Sequence, residues 1–293
     1  MTKAAAMRFL EVWYARIDAE ELMTELGASE KKATVKAAQK NLAKARKRTS
    51  LGSLSKFAEP VNGSYRIKQQ PPVIVRPPEE NYGDFERIIH EGLADYARSL
   101  APERRLVLDH YHYVDFARKV VGVGSVGTEA FMLLLMGDRK DDPLFLQVKE
   151  ANTSVLAPYA GDGEYDQQGE RVVHGQRVMQ AASDPFLGWA TGTGARALDV
   201  YVRQLRDMKG SAVIEGMPPA RLARYGHLCG VTLARAHARG GDAAKIAGYL
   251  GDDDTFDRAL EHFAVAYADQ NDADYAEFNA AADEQRIAVE RGV

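Results

Sequence analysis

Gly122, Gly124 and Gly127 stand in a G-x-G-x-x-G pattern, with Ser125 between the last two, and Lys149 closes the second of two apolar runs that follow. A glycine trio of this kind lets backbone amides approach phosphate oxygens, and two unrelated architectures use it. A dinucleotide-binding fold needs a helix to open at the third glycine, so that its N-terminus meets the pyrophosphate. Here Thr128 to Met136 reads TEAFMLLLM and runs into Gly137, Asp138, Asp141, Asp142 and Pro143. An apolar run of that length closed by turn residues predicts a strand.

Leu144 to Val148 is again short, apolar and β-prone, and it ends in Lys149. Strand, glycine turn, strand, turn, strand and lysine is the order of a kinase-type phosphate clamp. There, glycine amides cover the phosphates and the third-strand lysine reaches the α- and β-phosphates. The same spacing also fits a β-hairpin whose glycines only permit positive φ, followed by an ordinary surface lysine.

The elements around this stretch must position it. A helix is predicted from about Tyr165 to Ala182, and in a clamp its glutamate would hold the lysine. Glu164 and Glu170 are the candidates, Glu170 lying better inside the helix; the alternative is a solvated helix charge. Phe186 to Trp189 and Leu198 to Leu205 read as two further strands, completing a five-stranded antiparallel sheet. Residues 203–211, RQLRDMKGS, would then lie where a kinase hinge sits, and the mixed charges Arg203, Arg206, Asp207 and Lys209 make the segment a candidate to face ligand. Upstream, Val107 to Phe116 is expected to lead into the first clamp strand. His110 and His112 would share one face of it, a spacing that can ligate zinc, although no carboxylate or cysteine of suitable spacing stands near.

Flanking regions read as mainly helical. Residues 2–26 form an amphipathic candidate carrying Trp13 and Tyr14. Lys31 to Arg48 is basic without an acidic residue, which fits either a solvated helix face or a phosphate contact through Arg46, Lys47 and Arg48. YRIKQQPPVIVRPP suits an edge strand because prolines interrupt it. Asp84 to Leu100 is helical. Pro218-Pro219 opens a helix to about Arg239, on which Leu222, Tyr225, Leu228, Cys229, Leu233 and Ala236 are spaced for burial. Residues 242–285 continue as helix. The expected divisions are an N-terminal helical region at 1–105, a nucleotide-binding lobe at 106–210 and a C-terminal helical region at 211–293.

Net charge of −4 argues against nucleic acid as a partner of the whole chain. A single cysteine excludes an internal disulfide. No apolar run reaches membrane-spanning length, and acidic residues follow the N-terminus too soon for a signal peptide. A cytoplasmic location is the expectation.

The runs RKVVGVGSVGT, PLFLQVKEA, GQRVMQAASDPFLGW, YVRQLRDMKGS and LARAHARGGDAAKIAGYLG resemble the bacterial family catalogued as domain of unknown function 2252. The resemblance runs from LEVWYARID to about Phe278. It implies an α+β, protein-kinase-like fold close to the aminoglycoside-phosphotransferase branch. ATP with Mg²⁺ would be the cofactors, and a small molecule or a protein the acceptor. The glycine loop (Gly122, Gly124, Ser125, Gly127), Lys149 and Glu170 would form the nucleotide site. The resemblance also implies an upstream region with G-D-x-H-x-x-N-F and D-x-N-D-F-D motifs, so the chain is expected to be truncated and inactive alone. Substitutes for those motifs, sought at His237 to Asp242, Asp115-Phe116 and Asp269 to Asp272, lack the accompanying asparagine or glycine. A non-catalytic scaffold or protein-interaction module is the competing expectation.

Overall fold

The structure, a computed structural model, describes residues 1–16, 35–36, 39–40, 42–43, 50–78, 80, 82–120, 122, 127–139, 141–161, 163–192, 198–205 and 212–289. Most of the basic stretch Lys31 to Arg48, together with Gly124, Ser125 and residues 206–211, therefore lies outside the described residues. The chain divides into two compact units, residues 14–228 and residues 1–13 with 229–293.

The larger unit is built on an antiparallel sheet. Its strands are β3 (Ile74–Val75), β4 (His112–Lys119), β5 (Ala130–Met136), β6 (Pro143–Glu150), β7 (Gly188–Thr191) and β8 (Asp199–Gln204), in the order β3-β4-β5-β6-β8-β7. The sheet is thus α+β company as expected, but six-stranded rather than five-stranded. The extra strand comes from the proline-interrupted segment: Ile74 and Val75 pair with Lys119 and Arg118 at the free side of β4. Prolines at 71, 72, 77 and 78 confine it to two residues at an edge, where missing amide donors cost least. Just upstream, β1 (Ala58–Val61) and β2 (Ser64–Ile67) form a separate hairpin. Its turn is Asn62-Gly63, both at positive φ, which is the requirement of a two-residue turn that follows strand twist.

Both faces of the central strands are covered, which explains why AFMLLLM is apolar without alternation. On one face Met132, Leu134, Met136 and Phe145 pack with Ile67, Ile74 and the helix α1 (Ser50–Phe57). On the other, Phe116, Leu133, Leu135, Leu144, Leu146 and Val202 pack with Tyr96 of α2 (Tyr82–Ser99) and with Leu100 just beyond it. Tyr96 is buried, and its hydroxyl donates to the Phe186 carbonyl at 2.6 Å.

The approach to β4 differs from the expected strand. Pro102–Leu108 is a helix, α3, with proline in its first turn, where the absent amide is not needed. The strand begins only at His112, so His110 and His112 do not share a strand face. The apolar pair Val107-Leu108 is equally at home on a short helix that buries Leu108 alone. After β6 come the short helix α4 (Ala157–Ala160) and then α5 (Gln168–Met179), inside the limits expected for the glutamate-bearing helix.

The smaller unit carries α6 (Thr2–Ala5) at its N-terminal segment, and α7 (Phe9–Tyr14) begins in it. Helix α8 (Pro219–Gly240) enters it, followed by α9 (Ala243–Leu250) and α10 (Thr255–Asp283). Arg239 is buried, stacks its guanidinium 4.2 Å from the Trp13 ring and donates to the Trp13 carbonyl at 2.8 Å. Its planar cation over an indole face is a favourable pairing. The burial expected along α8 is found only in part: Leu228 and Ala236 are half-buried, while Cys229, Leu222, Tyr225 and Leu233 are exposed. The apolar stripe is present in the sequence, yet the described residues leave most of it uncovered. Leu260, Phe263, Tyr267, Tyr275 and Phe278 of α10 are exposed in the same way.

Candidate functional site

The hairpin between β4 and β5 carries the glycine loop. Gly122 and Gly127 have φ of 54° and 86°. A Cβ at either would meet no atom within 4 Å, so backbone conformation rather than crowding is what calls for glycine there. Gly124 and Ser125 fall outside the described residues.

Lys149 is placed by sheet register. It lies opposite Ala130 of β5 and opposite Tyr201 of β8, so all three side chains share one face. Gln147 and Arg203 form the next pair on that face. Lys149 and Arg203 are thus two cations, each half-buried, on adjacent central strands. Burial pushes the Lys149 ammonium below the ordinary lysine value, and the nearby Arg203 charge lowers it further. Two cations brought together in this way disfavour their own charge and favour an anion between them. Burial also raises the Tyr201 phenol above its usual value.

Helix α5 crosses toward the same face at its β7 end. Trp189 pairs with Tyr201, so its ring points to the Lys149 side. His174 lies 5.4 Å from the Trp189 ring and stacks on Tyr165 at 4.9 Å. Three devices hold the helix down. The Gln167 side chain accepts from the Glu170 amide and donates to the Ala190 carbonyl at 2.8 Å. Asp199 of β8 accepts from the Gln168 amide at 2.7 Å, meeting one of the orphan donors of the first turn. Gly169 completes the contact, because any Cβ there would overlap the Val200 carbonyl oxygen.

Glu170 consequently sits in the first turn of α5, on the side of the sheet that bears Lys149. Its carboxylate lies 3.6 Å from His174 Nε2, and this is the ion pair it makes among the described residues. The Trp189 and Lys149 strands are separated by β8, roughly 10 Å at the usual strand spacing.

The carboxylates considered for metal binding have other duties. Asp115 is 1% exposed; it accepts from the Ile67 amide at 2.7 Å and from Arg76 at 3.3 Å, clipping the β1–β2 hairpin to the sheet. Asp242 accepts from the Ala244 and Lys245 amides and caps α9. Asp269 and Asp272 are exposed on α10. Among the described residues no three histidine, cysteine or carboxylate side chains cluster as a metal site would require. Residues that sequence reasoning did not single out include Tyr201, Trp189, His174 and Asp199. Strand register brings Tyr201, Trp189 and Asp199 to the Lys149 face and helix packing on Trp189 brings His174, and neither has a local signature between distant segments.

This chain belongs to the bacterial family described as "Uncharacterized protein conserved in bacteria (DUF2252)", whose family model matches residues 1–281. No curated protein and no solved structure matches it. No described helix is long and apolar enough to cross a membrane.

Proposed function

We propose that this member of the family is a kinase-like nucleotide-binding protein, related to ATP-dependent small-molecule phosphotransferases. The observation that carries this reading is that Lys149 and Arg203 are diagonal neighbours on one half-buried face, in a sheet whose preceding hairpin is the glycine loop. Two neighbouring cations suit a polyphosphate, which accepts from both. The connectivity supports it too: three antiparallel strands, a helix with a first-turn glutamate, then two strands of which the last joins the lysine strand. In this reading Gly122, Gly124, Ser125 and Gly127 present amides to phosphate. Lys149 meets the α- and β-phosphates, and Glu170 turns from His174 toward Lys149 when nucleotide binds.

The described carboxylates do not fit a protein-held Mg²⁺, since Asp115 and Asp242 are spent on structural contacts. The metal would arrive on the nucleotide, and a base for the acceptor would come from the upstream motifs that the family resemblance implies. The chain alone would bind Mg-ATP weakly and transfer little. A thermal-shift titration with Mg-ATP on wild type and Lys149→Ala tests the reading. A saturable rise in melting temperature that the variant loses is expected; equal shifts in both, or none in wild type, would sink it.

The exposed aromatic residues of α10 favour a second reading, a kinase-like scaffold that binds a protein. Absence of nucleotide affinity together with a stable protein complex lost on Phe263→Gln would select it.

A further inference from the structure

On the face of the sheet opposite Lys149, α2 does not close completely against the strands. A cavity of about 730 Å³ lies between Phe85, Ile89 and Leu93 of the helix and Leu133, Val148 and Val200 of the sheet. Its size and its hydrocarbon walls are those of a small-molecule site rather than of a packing fault. Packing faults in protein interiors are few and small.

Gly92 leaves part of the helix side of this space open. It lines the cavity from the middle of α2, and a Cβ built there would meet nothing within 4 Å. A glycine inside a helix costs about 1 kcal/mol relative to alanine. Neither φ nor crowding requires one at this position. Its missing side chain leaves room on the helix side of the cavity.

The walls also define the occupant's charge. Arg118 pairs with Glu129 at 3.2 Å, and Arg76 pairs with the buried Asp115 at 3.3 Å. These are the charged lining residues and their partners, so the rim is balanced. Each lining cation already has a carboxylate partner, so an ionic ligand gains less there than it loses in giving up its hydration among hydrocarbon walls. From the glycine, the volume and the matched charges, we infer that this cavity binds an uncharged, predominantly hydrocarbon small molecule, an aliphatic alcohol or similar neutral lipid fragment. The site is independent of the nucleotide reading, since the sheet separates the two.

The test is fluorescence titration with N-phenyl-1-naphthylamine, a neutral apolar probe, followed by displacement with decanol and with decanoate at pH 8. Wild type is expected to bind one equivalent saturably, and decanol to displace it more effectively than decanoate. Gly92→Leu, which places a side chain in the space, is expected to fold and to weaken the probe at least tenfold. Gly92→Ala should melt higher than wild type and weaken the probe less. A Leu260→Gln/Phe263→Gln double variant controls for adsorption to α10 and should bind as wild type does. The inference is overturned by any of four results. These are no saturable binding, full affinity in Gly92→Leu, failure of Gly92→Leu to fold because no space exists, or better displacement by decanoate.

Discussion

The Lys149 face and the Leu133 face are made by the same strands, one residue out of phase, yet they collect different chemistry. Along β6, Leu144, Leu146 and Val148 look toward α2 and a hydrocarbon cavity, while Gln147 and Lys149 look toward Tyr201 and Arg203. Within the Lys149 face itself there is a gradient: Phe145 is buried against Phe57 of α1, their rings 6.1 Å apart, and four residues later Lys149 is only half-buried. The cover decides the outcome. Where a helix lies flat on the strands the face becomes core, and where α5 packs on β7 and the start of β8 the strand β6 keeps its polar groups.

That contrast breaks most severely at Asp115. It is the fully buried charge on the Lys149 side of the sheet, and its pairing with Arg76 and the Ile67 amide ties three elements together. Asp115→Ala is expected to cost about 3 kcal/mol, because it strands a nearly buried guanidinium. Urea unfolding measures the loss, and a change under 1 kcal/mol would mean the clip is idle. Next in size is Gly169→Ala, which forces α5 off the Val200 carbonyl; about 2 kcal/mol is expected from overpacking against backbone. Trp189 fluorescence should shift as His174 and Tyr165 withdraw.

Smaller, but more informative about the two faces, is Lys149→Met. Burial and then Arg203 hold the Lys149 pKa below the ordinary lysine value, so the unfolded chain takes up the proton more readily than the folded one. Stability should therefore rise as pH climbs through the window just below that ordinary value. Methionine removes this slope and, in the absence of ligand at pH 7, should stabilise by only about 0.5 kcal/mol, since solvent screens a half-buried charge. Mg-ATP binding should fall in the same variant. Stability unchanged or lowered, with the pH slope intact, would show that the ammonium is not under strain. Smallest of all is Phe263→Gln on α10: at an exposed position the change should stay within about 0.5 kcal/mol. A larger loss in dilute solution would mean that Phe263 is covered there.

The sequence carried the strands where apolar length and turn residues coincide. TEAFMLLLM followed by a Gly-Asp turn is β5, and the proline-flanked VIV is an edge strand. It did not carry the α3 helix, because Val107-Leu108 suits either state and only the fold shows that Leu108 is buried there. Burial along α8 misled for the opposite reason: a regular stripe predicts a covered face, but it cannot say what covers it. For the candidate site, Lys149 was legible as a strand end and Glu170 as a helix residue, though its place in the first turn was not, because the helix starts at Gln168 rather than near Tyr165. Tyr201, Arg203 and Trp189 as neighbours of Lys149 were not, since β8 enters the sheet between β6 and β7. The cavity had no sequence signal at all beyond a glycine within a helical pattern.

The entry of β8 between β6 and β7 also sets a schedule for synthesis. Lys149 waits for Tyr201, and Leu146 for Gln204, so one edge of the apolar strand β6 has no partner until some fifty further residues are made, 201 − 149 = 52 for the lysine pair. At ordinary translation rates that is roughly 3 to 10 seconds. During that interval PLFLQV offers an open row of amides and carbonyls to any other nascent chain. On the ribosome, the strand that holds Lys149 is the segment most in need of a chaperone.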